Sequence, residues 1–515
     1  MSSGSLVPIQ ALPPDLAETI STNLSLSLSI LACYVVMFLA ITHFARRGYS
    51  DSLSDHIVAS RGLGWVVASL TLVATVLSGV GMAGFPGTVY SVGFSFIAMI
   101  LAGYAVTAPA VWYLGRRMWV VGKEHDLQTP GDLLGDYYQS DTVRLYTVLA
   151  SVAFNTTYIV AQLLAGGLIL TILTGGVVSF ELGVLALAFV VTIHLASTGM
   201  RGIAYLDTFN GALISILLGA FGVFIVSHAG GVGEIFTSLG DSRAGYTTAP
   251  GVTGLFTPEV ILIVGALFSV GNTLLSPAGW IRMYSVDTER NFAKVAAMIV
   301  GVLTLIYVFG TSFIGIYGRT VLPEGTNPDT VSSLLAFDVM PFGLAALFLV
   351  GILAAIVSTT DSYAHVLAAT VSRDFIRTFI SPDISEDEEL LLNRVVIIVT
   401  MLAGVAGALL YSNLITPLAL FVVAVSIQLL PLLLGAVSWP RASTEAAIVS
   451  PAVGTVLLAL FQLQLIPNPY VTPLVPGILV ATVVNFGLFV VVSYLTSPQP
   501  LDKMEQYHGL INRKL

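Results

Sequence analysis

Ser358, Thr359, Thr360, Asp361 and Ser362 stand in a row inside a long apolar stretch that begins near Phe342. A hydroxyl buried in hydrocarbon without a partner costs roughly 1–3 kcal/mol, and a carboxylate costs more. On a helix turning about 100° per residue, Ala355, Ser358, Thr359 and Ser362 follow the i, i+3, i+4, i+7 pattern and make one narrow oxygen-rich stripe. Asp361 lies off that stripe by about a quarter to a third of a turn. Hydroxyls, a backbone carbonyl and a nearby carboxylate suit a small hard cation. The competing reading has each hydroxyl bond back to a carbonyl one turn earlier and soften the helix. It accounts for a lone Ser or Thr better than for five polar residues that include an Asp.

A stripe of this kind needs apolar helices around it, and the chain supplies them. Of 515 residues 56% are hydrophobic and 10% are charged, whereas a soluble chain carries about 25% charged residues. Thirteen mostly apolar segments of membrane-spanning length lie near 23–45, 63–89, 91–115, 144–173, 176–198, 202–228, 257–282, 291–318, 342–372, 392–412, 414–438, 444–465 and 473–496. An all-α polytopic membrane protein of about 13 transmembrane helices in a lipid bilayer is predicted. With the N-terminus outside, 18 of the 20 Lys and Arg fall in inner loops, and Arg243 and Arg319 remain outside. The bias predicts a multi-pass protein of the cell membrane, N-terminus out and C-terminus cytoplasmic. The expected layout is an extracellular segment 1–22, a transmembrane domain 23–496 and a cytoplasmic tail 497–515, too short for a catalytic module.

The N-terminus has no basic residue before its first apolar run, unlike a cleavable signal peptide. The single Cys33 excludes an internal disulfide and a Cys-based metal site. A net charge of −9 argues against nucleic acid. In the loops, TPGDLLGD within 118–143 has the pattern of a short capped helix. The Gly-, Thr- and Ser-rich stretch 230–254 is expected to form a mobile outer cover, and 372–389 a solvated acidic face.

Two segments are interrupted. The second holds Ser78, Gly79 and Gly81 at mid-membrane, with Gly84, Pro86 and Gly87 just after. The seventh has Gly271, Asn272, Ser276 and Pro277. Gly and Pro release backbone groups, which a bilayer tolerates only where they face a cavity or protein. Two such helices five segments apart point to an inverted-repeat transporter with its site at the midplane. The alternative is that glycines merely let helices pack closely. Asn155, Thr156, Thr157, Tyr158 and Gln162 in the fourth segment and Gln428 in the eleventh add polar groups. Helix–helix hydrogen bonding is the other reading for these.

The stretches SRGLGW…LSGVGMAGFPG, TPGDLLGDYY, YIVAQLLAGG, YLDTFNG, SPAGWIRMYS, AAIVSTTDS…SRDF and LLPLLLGAVSWPRAS occur in order over roughly residues 30–495. In these the chain resembles the sodium/solute symporters, which include carriers of proline, sugar, iodide, pantothenate and sialic acid. The resemblance implies a LeuT-type fold of two inverted five-helix repeats, about 63–228 and 257–438, with broken helices. It implies Na+ as coupling ion, held by backbone carbonyls of Ala74, Leu77 and Ala355 and the hydroxyls of Ser358 and Thr359. Some members hold a second sodium; here that set would be Asp207, Asp361 and Ser362. Ser78, Gly79, Gly81, Gln162, Asn272 and Gln428 are the expected solute contacts. Val76 replaces an Asp of the proline carriers, and Ser276, Pro277, Ala278 replace their Gln-Pro-His, which leaves the solute open. His365 stands where relatives have apolar or small residues.

No catalytic motif emerges, and His194 and Glu181, near opposite ends of one segment, make no constellation. The expected function is sodium-coupled symport of a small organic solute into the cell by alternating access, with no enzyme activity. Proton coupling through Asp361 or His365, and a transporter-like membrane sensor, are the alternatives.

Overall fold

The structure is a computed structural model and describes residues 13–47, 53–239, 245–411, 422–463, 465–466 and 474–515. Among them the chain is helical, and one isolated parallel bridge joins Leu63 to Val286. Residues 1–12 of the expected outer segment, 240–244 of the expected cover with Arg243, and 414–421 of the eleventh segment lie outside the described residues.

Among the described residues nine helices are long and apolar enough to cross a membrane, or eleven if each of two bent pairs is one span. That count differs from the expected thirteen at two places. The fifth and sixth segments run together as the 49-residue helix Phe180–His228. At about 1.5 Å per residue it is more than twice as long as the roughly 30 Å hydrocarbon core. It breaks at Gly199, whose φ of 55° and ψ of −156° only glycine adopts readily. A Cβ there would come within 2.5 Å of His56 Nδ1. Of the eleventh segment the described residues include the helix Val422–Ser438, too short by itself to count.

The two bent pairs are the two interrupted segments. Trp65–Val76 and Val80–Val92 meet at 59°, and Val260–Leu275 and Pro277–Ser285 at 56°. The Leu63–Val286 bridge ties the start of one to the end of the other: Leu63 N donates to Ser285 O at 3.0 Å and Asp287 N to Leu63 O at 3.0 Å. The third and seventh segments close on paired glycines. A Cβ at Gly103 would come within 2.1 Å of Gly265 O, and one at Gly265 within 2.1 Å of Met99 O. Small residues substitute backbone contact for the hydrophobic drive that lipid does not provide.

Phe342–Ala369 carries the hydroxyl stripe and continues as the wide-turned stretch Thr370–Ile380. Every residue from Phe348 to Ala369, the stripe included, is buried. The expected short helix forms at Pro130–Tyr137, where Thr129 Oγ1 accepts the Asp132 N–H at 3.0 Å. Arg373 and Arg144 reach Asp132 at 2.8 and 3.3 Å, joining this helix to the ninth and fourth segments. The expected acidic face is only partly solvated, because Glu389 is buried and pairs with Arg377 at 3.0 Å. The tail Leu501–Lys514 docks back on the same side, with Lys503 and Tyr507 on Asp136 at 3.0 and 2.6 Å.

Candidate sodium and solute site

The break in the second segment follows from where its N–H groups go. In a continuous helix the N–H of residue i meets the carbonyl of i−4. Ser78 N donates instead to Val76 O at 2.9 Å. Gly79 N donates to Gln162 Oε1 at 2.8 Å, and Gly81 N to Ser78 Oγ at 3.3 Å. These diversions release the carbonyls of Ala74, Thr75 and Leu77, the i−4 partners of those three residues. Leu77 itself leaves the helix, with φ −77° and ψ 68°.

Thr359 stands opposite. Its hydroxyl lies 3.5 Å from Ala74 O and 3.5 Å from Thr75 O, near the outer limit of a hydrogen bond. Ala355 lies one turn before it and Ser358 beside it, both fully buried. Ser358 donates its hydroxyl proton to Asp207 Oδ1. An alcohol that donates outward keeps its lone pairs for a cation. Of the expected first sodium set, the structure thus sets Ala74 against Thr359, with Ala355 and Ser358 on the same buried helix as Thr359 and Leu77 at the break.

The solute candidates divide. Gln162 is fixed to the break through Gly79, and its Nε2 has no protein partner. Ser78 Oγ and Tyr158 Oη are 3.2 Å apart. Tyr158 stacks on Phe154 with centroids 5.7 Å apart and packs on Tyr363 at 4.6 Å. A Cβ at Gly81 would come within 2.9 Å of the Tyr307 hydroxyl. In the seventh segment the buried Asn272 Oδ1 and Thr273 Oγ1 lack protein partners. Ser276 caps the helix after the break, accepting Gly279 N–H at 3.1 Å. Gln428 does not join this group. It bonds Ala424 O at 3.1 Å and accepts from Asn485 of the thirteenth segment at 2.9 Å.

The expected second sodium set also divides. Asp207, fully buried, accepts from Arg282 Nη2 at 2.8 Å. Ser362 Oγ is 2.5 Å from the same nitrogen. Asp361 turns elsewhere, with Oδ2 2.8 Å from His194 Nδ1. His194 was expected to belong to no constellation; it forms a buried pair across 167 residues of chain. His365 lies against His56, ring centroids 5.2 Å apart, with Nε2 3.3 Å from Ile57 O. Sequence reasoning singled out Tyr158 but missed Arg282 and the neighbouring aromatics Tyr307 and Tyr363. The one available signal was an Arg close behind a Pro break in an apolar run.

An all-helical multi-pass membrane protein, with two broken helices facing a hydroxyl-bearing one, is a secondary transporter in class. A family model described as the sodium:solute symporter family matches residues 56–454. The chain belongs to that family, and it is a sodium-coupled symporter of a small organic solute. It is 28% identical over 469 residues to the sodium/pantothenate symporter of Escherichia coli (strain K12), covering 88% of this chain and 93% of that one. It is 23% identical over 428 residues to the high-affinity proline transporter PutP of Bacillus subtilis (strain 168), covering 81% and 88%. A solved Na+-coupled sialic acid symporter, in a substrate-bound outward-open state, superposes with TM-score 0.76 at 17% identity, covering 92% of this chain and 98% of that one. That likeness shows the LeuT-type fold. The family and these neighbours are transporters, not enzymes.

Proposed function

We propose that this chain imports its solute across the cell membrane by alternating access, N-terminus outside and C-terminus in the cytoplasm. One sodium is held by the carbonyls of Ala74, Leu77 and Ala355 and the hydroxyls of Ser358 and Thr359. The solute lies against Ser78, Gly79, Gly81, Gln162 and Asn272. The observation that carries this reading is the set of diverted N–H groups: they free the carbonyls of Ala74 and Thr75 beside Thr359 and that of Leu77 at the break, and they tie the same backbone to Gln162. Sodium joins the broken second segment to the ninth and stabilises the outward-facing state. Solute then completes the site, and the bundle rocks to expose both to the cytoplasm.

The energies suffice. A charge crossing 100 mV contributes about 2.3 kcal/mol and a tenfold sodium gradient about 1.4 kcal/mol, together roughly 3.7 kcal/mol, enough for a few-hundred-fold accumulation of a neutral solute. The solutes named for the relatives, pantothenate, proline and sialic acid, all bear a carboxylate, which directs the search to small carboxylates. Purified protein is screened by thermal shift against carboxylates, amino acids, sugars and nucleobases, with and without sodium. Hits are then tested for uptake into protein-only liposomes. Sodium-dependent stabilisation and net accumulation are expected. Accumulation driven by a proton gradient in the absence of sodium would overturn the reading.

A further inference from the structure

Arg282, on the helix Pro277–Ser285, is only 1% exposed. A guanidinium that deep in a span must have its charge and its N–H groups answered from inside the protein. Nη2 donates to both Asp207 Oδ2 and Ser362 Oγ, at 2.8 and 2.5 Å. Nε donates to Thr71 Oγ1 at 3.0 Å, and Nη1 to Ala278 O at 3.2 Å. Thr71 in turn donates to Asp207 Oδ2, and Ser358 to Asp207 Oδ1. Asp207 and Ser362 are two of the three groups expected to hold a second sodium, and the third, Asp361, is engaged by His194. An ion bound to Asp207 and Ser362 and a nitrogen within hydrogen-bond distance of both claim the same space.

We infer that Arg282 is a tethered cation in the place of a second sodium, so that this chain moves one sodium per solute. Asp207 is then a positioning residue. It balances the guanidinium and takes the Ser358 proton, turning the lone pairs of that hydroxyl towards the first sodium. The inference rests on the first sodium site proposed above.

The test counts ions. Radiolabelled sodium binding is measured on purified full-length protein, and the charge-to-solute ratio in proteoliposomes. The wild type is expected to bind one sodium, without cooperativity. Arg282→Met, which frees Asp207 and Ser362, is expected to bind two. Arg282→Met with Asp207→Asn should return to one, because the freed carboxylate is gone. Two sodium ions in the wild type would overturn the assignment of Arg282 and leave the first site standing. A folded Arg282→Met protein that still binds one sodium at unchanged affinity would overturn it as well. Should Arg282→Met fail to fold, the wild-type count still decides. No saturable sodium binding in the wild type would overturn the first site and this inference with it.

Discussion

Thr359→Val removes one oxygen from the proposed sodium site and keeps the branched shape of the side chain. The hydroxyl lies 3.5 Å from each of two carbonyls, so it is a weak bond between the second and ninth segments. Its loss costs about 0.5 kcal/mol of stability, the low end for a neutral hydrogen bond. As a ligand to a cation the same oxygen is worth about 1.5–3 kcal/mol. At 1.4 kcal/mol per decade, that raises the sodium concentration for half-maximal uptake by roughly ten- to one-hundred-fold. The two effects are thus separable in size. The assay is solute uptake into proteoliposomes across a sodium titration at fixed pH and fixed membrane potential, with protein quantified in each preparation. Ser358→Ala tests the neighbouring ligand in the same way. Unchanged sodium dependence in both variants, with normal protein levels, would refute the assignment of the stripe.

Gly81→Ala places a Cβ 2.9 Å from the Tyr307 hydroxyl, beside the released backbone; solute affinity by calorimetry should fall about tenfold, a loss of about 1.4 kcal/mol, while stabilisation by sodium alone is retained. Because Ala74–Leu77 and Ser78–Gly81 are consecutive, ordering one stretch reduces the entropy the other must lose, by roughly 1–2 kcal/mol per shared residue. Saturating sodium should therefore tighten solute binding at least about fivefold, and solute should tighten sodium by the same factor; equal solute affinity in sodium and in a large inert cation would contradict this. At the cytoplasmic tail, burial pushes the His508 imidazole down to about 4, against a hydrogen bond with the Gly435 backbone that raises it. The docked tail therefore binds fewer protons than the free one, whose histidine titrates near about 6.5. Its stabilisation is complete above that pH and is lost as pH falls towards 4, about 1–2 kcal/mol after allowance for partial exposure. Hydrogen exchange of 501–514, corrected for intrinsic rates, should show faster opening at pH 5 than at pH 7.5, and His508→Asn should abolish the difference.

What the sequence determined by itself is local. The i, i+3, i+4, i+7 spacing of Ala355, Ser358, Thr359 and Ser362 puts them on one face whatever surrounds the helix. Pro277 after Ser276 interrupts its helix through backbone sterics that operate within a few residues, and the glycines at 79 and 81 mark the place of the other break, although Leu77 is the residue that leaves helical φ and ψ. The short capped helix at Pro130–Tyr137 was legible for the same reason. The tertiary structure decided how each helix is rotated about its axis. In water an apolar stripe records which side faces the core; in a bilayer both sides are apolar, and that record is erased. Gln428 accordingly turns to Asn485 instead of the solute site, and Asp361 finds His194 instead of Ser362. Asp207 and Arg282 are 75 residues apart in the chain. Only the packing of the sixth, seventh and ninth segments brings them together, because no local rule pairs charges carried on separate helices.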